Sequence, residues 1–238
     1  MKLDLLAIAP HPDDAELTCG GTLLKMAAAG YRTGILDLTR GESGTRGTPK
    51  MRLKEAERAA KILGVKVRRN LGLPDARLYV CDEYKAAIAE VIREFQPRTV
   101  ILPYWQGRHP DHYTASTLGY EACFLAGLKN FALSGEAHRP FKILHAAAYA
   151  DIRPTFAVDI TLQYDRRRRA ILAYTSQFRP LKGEPKSNVH LPLDELEDRM
   201  SVAARYCGRL IGVKYAEGFV VKEVMQVDDV IRLPVRSI

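Results

Sequence analysis

The sequence predicts an α/β fold, a Rossmann-like three-layer sandwich with a mostly parallel sheet. Three observations carry that expectation. Strand-like and helix-like segments alternate through the first two-thirds of the chain, the order that builds a parallel sheet through right-handed crossovers. The first strand-like run, Leu3 to Ala9, is nearly all apolar, as a strand covered on both faces must be. Finally, loops rich in His, Asp and Arg recur just after the strand-like runs. In open parallel sheets, reactive groups gather beyond the carboxyl ends of the strands.

The elements follow in order. After the loop at His11, Gly20-Gly21-Thr22 leads into a helical segment through Leu23, Leu24, Met26, Ala27 and Ala28 that closes at Gly30. Tyr31 to Thr39 is the second strand. Pro49 opens an amphipathic helix with Leu53, Ala56, Ala60 and Leu63 on its apolar side and Gly64 as its stop. Val65 to Val67 reads as a short third strand, and a helix through Ala86, Ile88, Val91, Ile92 and Phe95 precedes the strand Thr99 to Leu102. Beyond it, Phe141 to Tyr149 and Thr155 to Ile160 read as strands, and Leu162 to Ser176 and Leu193 to Leu210 as helices. The Gly-, Pro- and Ser-bearing stretch 180–192 reads as a long loop that can act as a lid. No repeat, low-complexity tract or linker interrupts residues 1–238, so one domain is expected.

The hydrophobic fraction of 47% excludes a disordered chain. No run approaches the ~20 apolar residues of a membrane span, and the N-terminus lacks a signal-peptide pattern. A cytoplasmic protein without membrane attachment is expected. The net charge of +8 permits an anionic partner. The densest basic run, Arg166 to Arg169, lies in a helix-like segment, where consecutive residues point apart, so it reads as solvated or internally paired. No nucleic-acid-binding pattern accompanies it, and no nucleic-acid partner is expected. Cys19, Cys81, Cys123 and Cys207 form no CxxC pair and read as reduced thiols. His138, His145 and His190 stand outside any motif and read as surface or packing residues.

The chemistry concentrates in His11-Pro12-Asp13-Asp14 and His109-Pro110-Asp111-His112. A catalytic zinc site takes three ligands from His, Asp and Glu and keeps a position for water, whose pKa falls to about 7. Adjacent residues point apart, so one aspartate of the first motif can bind metal while its neighbour takes a proton. His112 offers a ligand from the second loop. The competing reading makes Asp13 and Asp14 caps of the following helix, which explains one aspartate but not the histidine-rich counterpart.

Ala9-Pro10-His11-Pro12-Asp13-Asp14-Ala15-Glu16 resembles the first signature of the LmbE/PIG-L deacetylase family, and Arg108-His109-Pro110-Asp111-His112 its second. Similar stretches run from Thr39 to Thr48, through Arg52 and Glu55, Asn70-Leu71 and Pro74-Asp75, to Ala173–Phe178 and Tyr215–Phe219. The resemblance implies a Zn2+-dependent N-deacetylase in which water attacks the acetyl carbonyl of an N-acetylated sugar. It makes His11, Asp14 and His112 the zinc ligands and Asp13 the general base. It makes His109 the acid or oxyanion donor, with Asp111 orienting its ring and raising its pKa; a second ligand or a packing residue are the other readings of His109. Glu16 is expected in the second shell, holding a ligand histidine and facing the helix dipole. Arg52 matches a substrate-contacting position, or pairs with a glutamate of its own helix, and Arg40, Arg46 and Arg108 are further candidates for an anionic group.

Within the family, the segment Gly44–Thr48 and the ending Tyr215–Phe219 are most like the bacillithiol-biosynthesis enzymes that deacetylate N-acetylglucosaminyl malate. A chitin disaccharide or an antibiotic sugar is the alternative substrate, and a non-enzymatic basic nucleic-acid-binding protein the remote one. Relatives place an oxyanion-contacting tyrosine after the lid, whereas Pro192 to Glu197 carries no aromatic residue. The same resemblance implies a homo-oligomer, a trimer or hexamer.

Overall fold

A computed structural model describes residues 1–148, 150–179 and 193–235. Among the described residues the sheet has seven strands: β1 (Leu5–Ala9), β2 (Thr33–Thr39), β3 (Val67–Leu73), β4 (Thr99–Pro103), β5 (Lys142–Ala146), β6 (Phe156–Asp159) and β7 (Ala216–Val220). Their order is β3-β2-β1-β4-β5-β7-β6. The first five run parallel, while β7 is antiparallel to both β5 and β6. This is the mostly parallel α/β sheet expected from the alternating pattern.

Alternation along the strands sends side chains to two cores. Leu6, Ile8, Leu36, Leu38, Val100 and Leu102 pack against α3 (Asp82–Phe95) and α4 (Pro110–Ala126). Leu5, Ala7, Ile35 and Ile101 point the other way, onto α1 (Asp14–Ala28), α2 (Pro49–Leu63) and α5 (Tyr164–Ile171). Each fully buried Leu or Ile contributes about 1.5–3 kcal/mol, so both faces stabilise the sheet. Local signals set α2: Thr48 caps it by accepting from the Met51 N–H at 3.2 Å, Pro49 opens it, and Gly64 closes it at φ 75°. Two further helices complete this side, the single turn α6 (Thr175–Phe178) and the long α7 (Leu193–Ile211), the latter packed on β6 and β7.

Two expectations are corrected. The third strand is not Val65–Val67 but Val67–Leu73; as the sheet edge it needs no continuous apolar run, and Arg68, Arg69 and Asn70 occupy it. The helix expected over Leu162–Ser176 is two, because the chain turns at Leu172–Tyr174 to bury Tyr174 completely. The expected lid at 180–192 lies outside the described residues. No helix among the described residues is long and apolar enough to cross a membrane, and Cys19, Cys81, Cys123 and Cys207 are free.

Helix α1 breaks at Cys19 (φ −145°, ψ 15°). The break leaves carbonyls and N–H groups without helical partners, and such buried groups must be satisfied elsewhere. Arg167 on α5 donates to the carbonyls of Glu16 and Leu17. Glu217 on β7 accepts from the Gly21 and Thr22 N–H groups at 2.8 and 2.7 Å and from the Thr22 hydroxyl at 2.7 Å. These two residues, themselves paired at 3.0 Å, splint the helix whose first turn carries the aspartates of the site.

Candidate active site

Strands β1 and β4 end side by side, so the loops after them meet. His11 and Asp13 lie beyond β1, Asp14 opens α1, and His109 and His112 flank the start of α4. Asp14 Oδ2 stands 3.0 Å from His11 Nδ1 and 3.3 Å from His112 Nε2. One carboxylate oxygen thus faces one nitrogen from each of two histidines. Ligand atoms of His11, Asp14 and His112 all lie within 4.8 Å of one another. Two imidazoles and a carboxylate this close together match the ligand set of a catalytic divalent-metal site. His11, His109 and Asp111 form a second group of the same span.

The far side of the His11 ring is held as well. Its Nε2 faces Asp75 Oδ1 at 3.0 Å and Asp111 Oδ2 at 3.3 Å. Carboxylates behind a histidine fix its ring and raise its basicity as a ligand. Asp75 is in turn braced from the loop after β2: its carboxylate accepts from the Ser43 N–H at 2.8 Å, and Glu42 accepts from its own N–H at 2.8 Å. Burial disfavours a charged His11, but the hydrogen bonds to Asp111, Asp14 and Asp75 outweigh it and lift its pKa well above the ordinary value. Burial likewise opposes ionisation of Asp14, yet the charges and hydrogen bonds of His112 and His11 hold its carboxyl well below the usual range.

Asp13 differs from its neighbour in every respect. Its φ of 112° is a left-handed value that a non-glycine residue adopts only under local constraint. Its carboxylate pairs with Arg52, whose Nη2 lies 3.1 Å from Asp13 Oδ2. Burial pushes the Asp13 carboxyl up to about 7, against the pull of Arg52. A carboxylate with a pKa near 7 is suited to taking a proton at neutral pH.

Several expected contacts are redrawn. Asp111 does not orient the His109 ring: its carboxylate accepts from the Ala76 and Leu78 N–H groups at 2.8 and 3.3 Å and backs His11. His109 Nδ1 instead accepts from the Asp111 N–H at 3.2 Å, capping α4. The expected upward shift of His109 is reversed: partial burial and then the charges of His11 and His112 lower its pKa. Glu16 does not hold a histidine either. It is fully buried, 2.5 Å from Arg68 Nη1, and accepts from the Tyr174 hydroxyl at 3.1 Å. Arg68 also grips Asp37 through Nε and Nη2 at 2.7 and 2.9 Å.

A cavity of ≈ 640 Å3 opens over the cluster, within the ~300–1,000 Å3 of small-molecule sites. Asp14, His109, His112 and Arg108 line it. Arg52, Arg46 and Arg40 do not. Arg52 is buried, donating to the carbonyls of Pro12 and Gly41 besides pairing with Asp13. Arg46 is buried with its carbonyl accepting from Gln177, and Arg40 is exposed beside Gly72. Of four candidate arginines, only Arg108 is placed to meet a molecule in this cavity.

The sequence model described as PIG-L, GlcNAc-PI de-N-acetylase, matches residues 6–123, the span holding both histidine motifs. The diacetylchitobiose deacetylase of Thermococcus kodakarensis is 34% identical over 227 residues, covering 90% of this chain and 81% of that protein. The chain belongs to the PIG-L family. A second PIG-L relative, a probable N-acetyl-α-D-glucosaminyl L-malate deacetylase of Bacillus cereus, is 28% identical over 200 residues, 74% of this chain and 84% of that one. Among solved structures, a conserved protein of Thermus thermophilus superposes with a TM-score of 0.84 at 43% identity, covering 95% of this chain and 98% of that chain. Membership makes this chain an enzyme of the de-N-acetylase type.

Sequence reasoning assigned no role to Asp75, Arg68 or Asp37. Asp75 lay inside a family-like stretch, but its task depends on how the loop after β3 folds back. His145, read as surface or packing, is fully buried, with Nδ1 3.0 Å from the Pro103 carbonyl and 3.2 Å from the Ser116 hydroxyl. It ties the end of β4 to α4 behind the site. Burial lowers its pKa, so the unfolded chain binds a proton more readily than the native one. Stability linked to His145 is therefore full above the unfolded pKa of ~6.5 and falls as pH drops below it. Thermal melts of wild type between pH 7 and 5 are expected to lose more Tm than those of His145→Gln; equal slopes would contradict this.

Proposed function

We propose that this protein removes acetate from an N-acetylglucosamine conjugate, with a divalent metal, zinc by its ligand chemistry, held by His11, Asp14 and His112. The observation that carries the reading is the division between the two adjacent aspartates: Asp14 faces both histidines, and Asp13, outside the ligand group, pairs with Arg52. The metal, when bound, polarises the amide carbonyl and lowers the pKa of a water molecule. Asp13, with its raised pKa, takes the proton from the attacking water. Arg52 fixes the Asp13 carboxylate through a fork that also grips two backbone carbonyls. His109, exposed at the cavity wall with Nδ1 accepting from the Asp111 N–H, offers its other ring nitrogen as a hydrogen-bond donor to the developing oxyanion. The proton taken by Asp13 passes to the leaving amine. Asp75 and Asp111 hold His11 in register throughout. Balanced, the amide C–N bond breaks, water's oxygen bonds the acetyl carbon, and free amine and acetate leave.

The substrate reading divides between two conjugates. A relative named for diacetylchitobiose favours a neutral disaccharide, and one named for glucosaminyl malate favours an acidic aglycone. Of the four arginines expected to serve a dicarboxylate only Arg108 lines the cavity, but Arg167 and Arg199 line it as well, so the lining fits either conjugate. Acetate release from diacetylchitobiose, N-acetylglucosaminyl malate and N-acetylparomamine, compared as kcat/KM, tests the reading. A preference of about 10-fold or more for one, on the order of a single specific contact, names the conjugate; no acetate from any would refute the function.

A further inference from the structure

We propose that Arg167, through its Nη1, is the hydrogen-bond donor that recognises an oxygen on the part of the substrate extending beyond the acetylated sugar. The proposal rests on the deacetylase reading and deepens it.

The run Arg166–Arg169 sends its side chains in four directions. Arg166 donates to the Ile62 carbonyl, Arg168 pairs with Glu197, and Arg169 is exposed. Arg167 alone turns inward and retains 4% of its exposure. Its Nε meets Glu217 Oε1 at 3.0 Å and the Glu16 carbonyl at 3.1 Å, and Nη2 donates to the Leu17 carbonyl. No described residue accepts from Nη1, yet Nη1 is not among the fully buried atoms that lack a partner. It therefore keeps contact with solvent. Arg167 lines the cavity that also holds Asp14 and His112, and its remaining solvent contact is assigned to that cavity.

The surroundings make that donor selective. Leu17, Leu196 and Met200 give the cavity apolar walls, so a fixed N–H there is a scarce polar feature that orients a ligand. Glu217 offsets the charge of Arg167, and two hydrogen bonds and this ion pair immobilise the guanidinium before any ligand arrives, so little ordering entropy is lost on binding. A paired, rigid donor suits an acceptor oxygen of either kind, the hydroxyl of a second sugar or the carboxylate of an acidic aglycone. With the acetamido group at Asp14 and His112, the rest of a conjugate extends into the same cavity toward α7.

The test compares kcat/KM for N-acetylglucosamine, diacetylchitobiose and N-acetylglucosaminyl malate in wild type, Arg167→Lys and Ala203→Trp. The monosaccharide uses the same metal cluster but carries no aglycone, so it reports any general damage to α1. Arg167→Lys is expected to lower kcat/KM for at least one conjugate about 10-fold, mainly through KM, as loss of a charge-assisted hydrogen bond does. The monosaccharide value reports what the lost bonds to α1 cost, so the expected result is a conjugate-to-monosaccharide ratio of kcat/KM about 10-fold below that of wild type. Loss confined to diacetylchitobiose identifies a sugar hydroxyl as the partner, and loss confined to the malate conjugate a carboxylate; both support the proposal. Ala203, an exposed α7 residue at the cavity wall, tolerates a bulky replacement, and Ala203→Trp should show the same split even if Arg167→Lys folds poorly. Parallel losses on all three substrates, or conjugate turnover unaffected in both variants, would overturn the proposal while leaving the deacetylase reading intact. A wild type that releases acetate from none of them overturns both.

Discussion

Replacing Asp13 with asparagine is expected to leave the bound metal in place and to lower kcat about 100- to 10,000-fold, the range for losing a general base. The two halves of that expectation come from different observations. Metal retention follows because Asp13 belongs to neither cluster of ligand atoms, its carboxylate being 3.1 Å from Arg52. The rate loss follows because an amide side chain cannot accept the proton from water, while its shape still fills the site beside Arg52. KM should change little, since the carboxylate acts in the transition state rather than in binding. Metal analysis beside steady-state kinetics checks both. Loss of metal with activity would move Asp13 into the ligand set, and full activity would remove it from the mechanism.

The second large effect is on stability. Arg68 sits between two buried carboxylates, Glu16 and Asp37, and the Glu16 side chain has no exposure. Burial already raises the pKa of Asp37 despite the neighbouring guanidinium. Arg68→Met would leave both carboxylates without their cation, and stranding one buried charge typically costs about 3–5 kcal/mol. For a chain of this size that is a Tm decrease on the order of 10 °C. Arg68→Met combined with Glu16→Gln should recover part of the loss, because one stranded carboxylate is then gone. Additive losses in the double variant would show that the three side chains do not act as a unit. This cluster underlies the first turn of α1, so its partial rescue should also restore metal affinity.

What the sequence revealed, and what it hid, divides along a physical line. Strands β1, β2 and β4 were legible because a strand covered on both faces must be apolar throughout, and Leu5–Ala9 and Thr99–Pro103 are nearly so. Strand β3 was cut short because an edge strand has no such obligation, and its arginines read as the end of an element. The meeting of His11, Asp14 and His112 at one sheet edge followed from strand order and from the family resemblance. The roles of side chains that look inward from loops did not. Asp111 was assigned to His109, two residues away, because sequence proximity is a poor guide once a helix starts between them. Its carboxylate goes to the turn at Ala76–Leu78 and to His11, 100 positions away in sequence. Arg52 was read as a substrate contact since nothing in the spacing shows that α2 aims it at Asp13. Arg167 was hidden inside a run that looks like a solvated face, and only the break in α1 explains why one member of the run is drawn into the core.

On the proposed function, one metal per chain, held by His11, Asp14 and His112, is required for removal of an acetyl group from an N-acetylglucosamine conjugate. Titration of chelator-stripped protein with zinc, following acetate release from diacetylchitobiose and N-acetylglucosaminyl malate at each addition, tests it most directly. The expected result is no acetate without metal, activity rising to a plateau at one equivalent per chain, and no recovery at any zinc level in Asp14→Ala. Acetate release by the stripped protein, or full recovery in Asp14→Ala, would contradict it.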